Sequence, residues 1–185
     1  ICLLIINTPL GYCVFNLSVR PYEGSYELKF GKIDSTTESI SKELIVNINS
    51  DLGKPYRLIQ TLLEPLTNQE GVTIPLGNFF VSAIRGSNRY GNLITEQQIP
   101  VSSNRTIVYT SSTQGLSDSF TLIYILKGPF LLPKGTYRGR LAFSLESNEA
   151  GQMPVTAIVN LSVELSGIDF AVKISSSDSA KTIAL

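Results

Sequence analysis

Side-chain character alternates along most of this chain with a period of two. Val155, Ala157, Val159, Leu161, Val163 and Leu165 alternate with Thr156, Asn160, Ser162 and Glu164. Phe15, Leu17 and Val19 alternate with Asn16, Ser18 and Arg20. Tyr26, Leu28 and Phe30 alternate with Glu27 and Lys29. Leu44, Val46 and Ile48 share one side, while Asn47 and Asn49 share the other with Ile45. Tyr137, Leu141, Phe143 and Leu145 stand opposite Arg138, Arg140, Ser144 and Glu146. Successive side chains of a strand point to opposite faces, so each run has one face for a core and one for water.

Two runs break the alternation by being apolar on both sides. They are Asn78-Phe79-Phe80-Val81-Ser82-Ala83-Ile84 and Phe120-Thr121-Leu122-Ile123-Tyr124-Ile125-Leu126. They read as central strands covered on both faces, or as strands at a domain contact. Between the runs lie turn formers: Pro21-Tyr22-Glu23-Gly24, Ser50-Asp51-Leu52-Gly53, Pro133-Lys134-Gly135 and Asn148-Glu149-Ala150-Gly151. Tyr56 to Leu66, closed by Pro55 and Pro65, reads as a strand with a helix as the alternative. Asn88 to Arg105 is the least patterned stretch and the expected long loop. The expected fold class is all-β: an immunoglobulin-like antiparallel β-sandwich of about 8–10 strands.

Composition narrows the function. The chain has 185 residues, 43% of them hydrophobic and 16% charged, which suits a single packed core rather than a disordered chain. Lys+Arg and Asp+Glu are both 15, so no nucleic-acid partner is expected, since phosphate binding needs an excess of clustered cations. Histidine is absent, which removes the commonest general base and metal ligand together. Ser39-Ile40-Ser41-Lys42 matches the S-x-x-K nucleophile motif, but the motif needs a helix start and the residues after it read as a strand. Glu64, Glu70, Glu96 and Glu146 lie near turns or on polar faces and read as solvated carboxylates. We expect no enzyme, no catalytic residues, no metal site and no cofactor.

The ends suggest export. Ile1-Cys2-Leu3-Leu4-Ile5-Ile6, a breaker and then Gly11 and Cys13 resemble the close of a secretory signal peptide. Leu10-Gly11-Tyr12-Cys13 resembles a lipobox, from which Tyr12 departs. Residues 1–13 are therefore expected to be a signal-peptide remnant and 14–166 the β-sandwich. Residues 167–185, with the Ser-rich run Ser175 to Ser179, are expected to be a linker, a tail or the start of a further module. No membrane span is expected in the mature chain, and the expected localisation is extracytoplasmic: periplasm, cell surface or secreted.

Two segments carry a family resemblance. Leu28-Lys29-Phe30-Gly31-Lys32-Ile33, followed by Leu44-Ile45-Val46-Asn47-Ile48-Asn49-Ser50, resembles the opening of bacterial immunoglobulin-like modules. Leu132-Pro133-Lys134-Gly135-Thr136-Tyr137-Arg138-Gly139-Arg140-Leu141 resembles their Pro-x-Gly-x-Tyr-x-Gly-x-Leu strand. Pilin-like and spore-coat-U-like secreted β-sandwich domains share these features. The chain departs from immunoglobulin domains proper in having no Trp and no Cys pair after residue 13. In the second segment Tyr137 is expected to bury its ring and keep its hydroxyl near water or backbone, and Gly139 to admit the neighbouring sheet.

The resemblance implies a non-catalytic structural or adhesive module, pilin-like or on a cell surface, with a protein partner or self-assembly. Phe15, Leu17 and Val19 are the candidate donated or edge strand. The alternative is a carbohydrate- or ligand-binding module. Its candidate contact loop is Arg85 with Asn88, Arg89, Tyr90 and Asn92, residue types that anchor recognition surfaces. An enzyme whose site is not visible in sequence is the second alternative.

Overall fold

The chain changes sheets at its first turn. A computed structural model describes residues 14–86, 90–148 and 150–166, with the backbone of 171–176 and 179–184. Strand β1 (Phe15–Pro21) ends in a turn closed by Gly24 N–H donating to the Pro21 carbonyl at 3.1 Å. Gly24 sits at φ +77°, the left-handed region that favours glycine. The chain then enters β2 (Glu27–Ile33) on the opposite sheet. The remaining strands are β3 (Ser39–Ser50), β4 (Tyr56–Thr67), β5 (Phe79–Ile84), β6 (Asn92–Leu93), β7 (Ile99–Pro100), β8 (Thr106–Thr110), β9 (Asp118–Lys127), β10 (Gly135–Ser147) and β11 (Val155–Leu165). A separate hairpin joins β12 (Ala171–Ser176) to β13 (Ser179–Ala184).

Sheet I has the order β1-β3-β9-β5-β7 and sheet II the order β2-β11-β10-β4-β8-β6. The order β1-β3-β9-β5 facing β11-β10-β4 is that of an immunoglobulin sandwich, A-B-E-D against G-F-C. The expected fold is therefore present, with two corrections. One pairing is parallel: β2 lies beside β11 in the same direction. The cause is the early crossover, which takes the chain off β3 and delivers it to the far edge of the other sheet. The strands also exceed the expected number, because the stretch from Asn88 to Arg105 contains β6 and β7. Each is two residues long and pairs with the exposed edge of β8 or β5. Tyr56 to Leu66 forms β4, the strand reading rather than the helix.

The alternating residues face inward as expected. Leu44, Val46, Leu58, Val81, Leu122, Tyr124, Leu126, Tyr137, Leu141, Phe143 and Leu145 are all fully buried. Aromatic contacts cross between the sheets: Phe30 meets Phe79 edge-on at 6.0 Å, Phe15 meets Tyr56 at 5.9 Å, and Tyr109 stacks on Phe120 at 4.9 Å. The Tyr124 hydroxyl of sheet I donates to the Gln60 side-chain oxygen of sheet II, and both groups are buried. Burial pushes the Tyr124 hydroxyl well above its ordinary pKa, so it stays a donor.

At the start of β10 the Tyr137 ring is buried and its hydroxyl donates to the Pro133 carbonyl at 2.9 Å. This is the tyrosine corner of the immunoglobulin fold. Gly139 also admits a close neighbour, but the neighbour is β4 of the same sheet rather than the facing sheet. A Cβ at Gly139 would lie 2.7 Å from the Glu64 carbonyl oxygen and 3.2 Å from the Leu66 nitrogen. The approach is tight because the β10–β4 register shifts on both sides of Arg140, where Pro65 interrupts the ladder.

Candidate interaction surfaces

The candidate edge strand lies at the rim of sheet I. Phe15, Leu17 and Val19 belong to β1, which pairs antiparallel with β3 along its whole length, from Phe15↔Ser50 to Pro21↔Leu44. Leu17 is buried, and Phe15 and Val19 pack partly against the core. β1 therefore completes its own sheet, and its outer edge is unpaired in sheet I. Across the rim, β11 contributes its full length to sheet II between β10 and β2.

Of the candidate loop, Arg85, Tyr90 and Asn92 are among the described residues. Arg85 spends its guanidinium locally: NH1 donates to the Gly91 carbonyl at 3.0 Å, and Nε pairs with Glu96. It staples its own loop. A Cβ at Gly91 would lie 2.0 Å from the Tyr109 hydroxyl, which packs the loop end onto β8. Tyr90 is exposed and Asn92 opens β6 opposite Thr110. Asn88 and Arg89 lie outside the described residues, as does the whole of 1–13.

The residues weighed for catalysis are dispersed. Ser39 and Lys42 lie on strand β3 with odd spacing, so they point to opposite faces, and Lys42 Nζ pairs with Glu23 at 2.6 Å. Glu64 pairs with Arg140, and Glu96 with Arg85. Glu146 accepts from Arg57 at 3.2 Å, from Arg105 and from Ser144. Partial burial opposes ionisation of Glu146, yet the hydrogen bonds from Arg105, Ser144 and Arg57 hold its carboxyl below the ordinary value. The buried Asp118 accepts from the Tyr109 hydroxyl at 2.7 Å, and burial together with this bond pushes the Tyr109 hydroxyl upward. Among the described residues no three Cys, Asp or Glu side chains converge as a metal site would need, and no helix is long and apolar enough to cross a membrane.

What does differ sharply is the solvent side of the two sheets. The outer side of sheet II carries Lys29–Glu27, Lys32–Glu164, Arg57–Glu146, Arg105–Glu146 and Arg140–Glu64. The same side also exposes Ile158 (58%) and Leu63 (47%), while Ile59 is buried. The outer side of sheet I carries no ion pair among the described residues. It presents Ile45 of β3, Ile123 and Ile125 of β9, and Phe80 and Ile84 of β5, none of which belongs to the core cluster. The register groups them: Ile45 and Ile84 flank Thr121, Phe80 lies beside Ile125, and Ile123 sits in the row between with Glu43 and Ser82 on either side. Ile84 is 54% exposed and the others are half-buried. Lys127 caps one end, its ammonium 4.6 Å from the centre of the Phe80 ring. These are the two runs that are apolar on both sides in sequence. Their inner faces fill the core, and their outer faces form an open apolar patch.

A smaller feature lies at the β1–β2 crossover. Pro21, Tyr22, Glu23, Glu27, Lys42 and Glu43 line much of a cleft of about 230 Å³. Tyr22 is 69% exposed, and Tyr26 in the same turn is 97% exposed. Sequence reasoning passed over this cleft. Its only sequence signal is two tyrosines four residues apart in a turn.

No protein-family model and no curated protein sequence matches the chain. Among solved structures it is similar to a family 123 glycoside hydrolase from Clostridium perfringens, at 12% identity and TM-score 0.46, over 83% of this chain and 27% of that one. It thus spans about a quarter of that enzyme's length. It is similar to the periplasmic chaperone SfaE at 13% identity and TM-score 0.44, over 82% of this chain and 59% of that one. It is also similar to the CssB subunit, complemented with a donor strand from CssA, of the enterotoxigenic Escherichia coli colonization factor CS6. That likeness has 15% identity and TM-score 0.41, over 81% of this chain and 97% of that one.

Proposed function

We propose that this protein is a non-catalytic structural or adhesive module of an extracytoplasmic, pilin-like or cell-surface protein, and that it works by protein contact through its sheets. One observation carries the reading: the contrast between the ion-paired outer side of sheet II and the open apolar outer side of sheet I. A rigid sheet with Ile45, Phe80, Ile84, Ile123 and Ile125 in one patch gains free energy when covered, and contiguous exposed apolar surface of this kind marks interaction sites. The engagement of Glu64, Glu96, Glu146 and Lys42 in ion pairs supports the absence of catalysis.

The test is adherence. Beads coated with the full chain are expected to cluster or to adhere to cell monolayers. The double variant Ile123→Lys/Ile125→Glu is expected to abolish this, and Arg140→Ser on the other sheet to preserve it. Equal behaviour of both variants, or turnover of an ester, amide or glycoside by the purified chain, would overturn the reading. A second reading, carbohydrate binding, is favoured by the cleft beside Tyr22. Exposed tyrosines stack on sugar rings, and Glu23 and Glu43 can accept from hydroxyls. Saccharide binding lost in Tyr22→Ala and kept in Ile123→Lys/Ile125→Glu would replace the first reading with this one.

A further inference from the structure

We infer that the outer side of sheet I pairs with the same side of a second copy of this chain, forming a two-fold sheet-on-sheet dimer. The inference rests on the contact reading above and names its partner. The face is large enough. Its strands have 7, 12, 10, 6 and 2 residues, which at about 3.3 Å per residue and about 4.8 Å between strands cover roughly 600 Å² in projection. Side-chain relief raises the accessible area above the projection, toward the roughly 800 Å² per partner of a standard stable interface. The sheet is also regular: none of its pairings has a register shift, so its pleat can pack aligned on another sheet.

Charge selects a second copy over an unrelated partner. Arg20 stands opposite Ile45, and Glu43 stands opposite Ile123, so both charges share the outer face and border the apolar patch. Both are exposed, and neither has an ion-pair partner among the described residues. An isologous interface needs each patch to carry its own complement. A two-fold axis lying across the strands at the level of Leu122 lays the row of Ile123 on the partner copy's row of Ile45, Thr121 and Ile84. It also sets Arg20 of each copy beside Glu43 of the other. The formal net charge of zero adds no long-range repulsion between copies.

The experiment is light scattering on the full chain over a concentration series, with thermal melts to confirm that each variant folds. A concentration-dependent dimer is expected. Ile123→Lys is expected to leave a folded monomer at every concentration. Arg20→Glu and Glu43→Arg are each expected to weaken dimerisation about tenfold or more by placing like charges together. The doubly swapped Arg20→Glu/Glu43→Arg chain is expected to recover to within a few-fold of the parent. A dimer that survives Ile123→Lys, or a double swap no better than the single variants, overturns the proposed pairing. A parent chain that stays monomeric overturns it as well. If such a monomer still adheres in the bead assay through the Ile123 face, the contact reading stands with a different partner. If it does not adhere, both fail.

Discussion

The two sheets of this sandwich are built to different standards of regularity. Sheet II contains every register shift: in β10–β4 around Arg140, in β4–β8 between Leu58 and Ile59, and in β11–β2 between Ser162 and Glu164. Its outer side is laced with ion pairs. Bulges and charges are the devices by which a sheet discourages unwanted association. Sheet I has no register shift, and its outer side groups Ile45, Phe80, Ile84, Ile123 and Ile125 with the charges Arg20, Glu43 and Lys127 around them, in no ion pair among the described residues. The same chain thus guards one surface and leaves the other open, and that asymmetry carries the functional reading.

The largest effect comes from breaking the irregularity of sheet II at its centre. Gly139→Val places side-chain carbons where the backbone of Glu64 and Leu66 already lies, and backbone cannot rotate away as a side chain can. We expect a loss of about 2–3 kcal/mol in urea unfolding. The apolar outer side of sheet I should remain as it is, because β10 does not belong to that sheet. A variant as stable as the parent would mean that the β10–β4 approach is looser than its geometry requires.

Much of this was legible in the residues. Val155 to Leu165 announced one buried and one wet face, and β11 has them. The Pro133, Gly135 and Tyr137 spacing announced a buried ring with its hydroxyl near water or backbone, and the structure bonds that hydroxyl to the Pro133 carbonyl. The doubly apolar runs read as strands covered on both faces or at a domain contact; among the described residues only their inner faces are covered, and the outer ones form the patch on β5 and β9. Pairing was not legible. Period two says which way a side chain points but not which strand lies beside it, so the parallel β2–β11 pair and the edge roles of β6 and β7 were missed. The ion cluster was missed for the same reason. Arg57 and Arg105 are 89 and 41 residues from Glu146, and only the β4–β10 and β4–β8 registers bring them together. The bonds of Arg85 to Gly91 and Glu96 were not legible, because they depend on loop closure rather than on residue type.

The next effect tests how the two unlike sheets are joined. Tyr124 and Gln60 form a hydrogen bond across the core with no water to replace it. Tyr124→Phe leaves the Gln60 amide buried without its donor, and we expect a cost of about 1–3 kcal/mol. Adding Gln60→Leu removes the stranded group. The double variant should therefore lose less than the sum of the single losses by about 1 kcal/mol or more. Additive losses in the unfolding cycle would show that the two groups do not act as a pair.

The smallest effect concerns the charges that guard sheet II, and its pH dependence separates it from packing. The carboxyl of Glu146 is held below its ordinary value of 4.5 by Arg105, Ser144 and Arg57, against the opposing effect of burial. A carboxyl with a lowered folded pKa contributes stability that is complete above the unfolded pKa and is lost as pH falls through the folded one. Both arginines are substantially exposed, so solvent screening keeps the contribution near 0.5–1 kcal/mol at neutral pH. Glu146→Gln should therefore cost about that much at pH 7 and progressively less as the pH drops below 4.5. It should cost nothing measurable once the parent's own carboxyl is protonated. Added salt should shrink the difference at pH 7 in the same direction. The sheet I variant Ile123→Lys has no carboxyl to titrate, and Lys stays charged throughout this range. Its monomeric state should persist unchanged from pH 7 to the acid limit. A cost of Glu146→Gln that is flat with pH would mean that Glu146 holds sheet II by shape rather than charge. The contrast between a charged side and an apolar side would then lose its clearest electrostatic member.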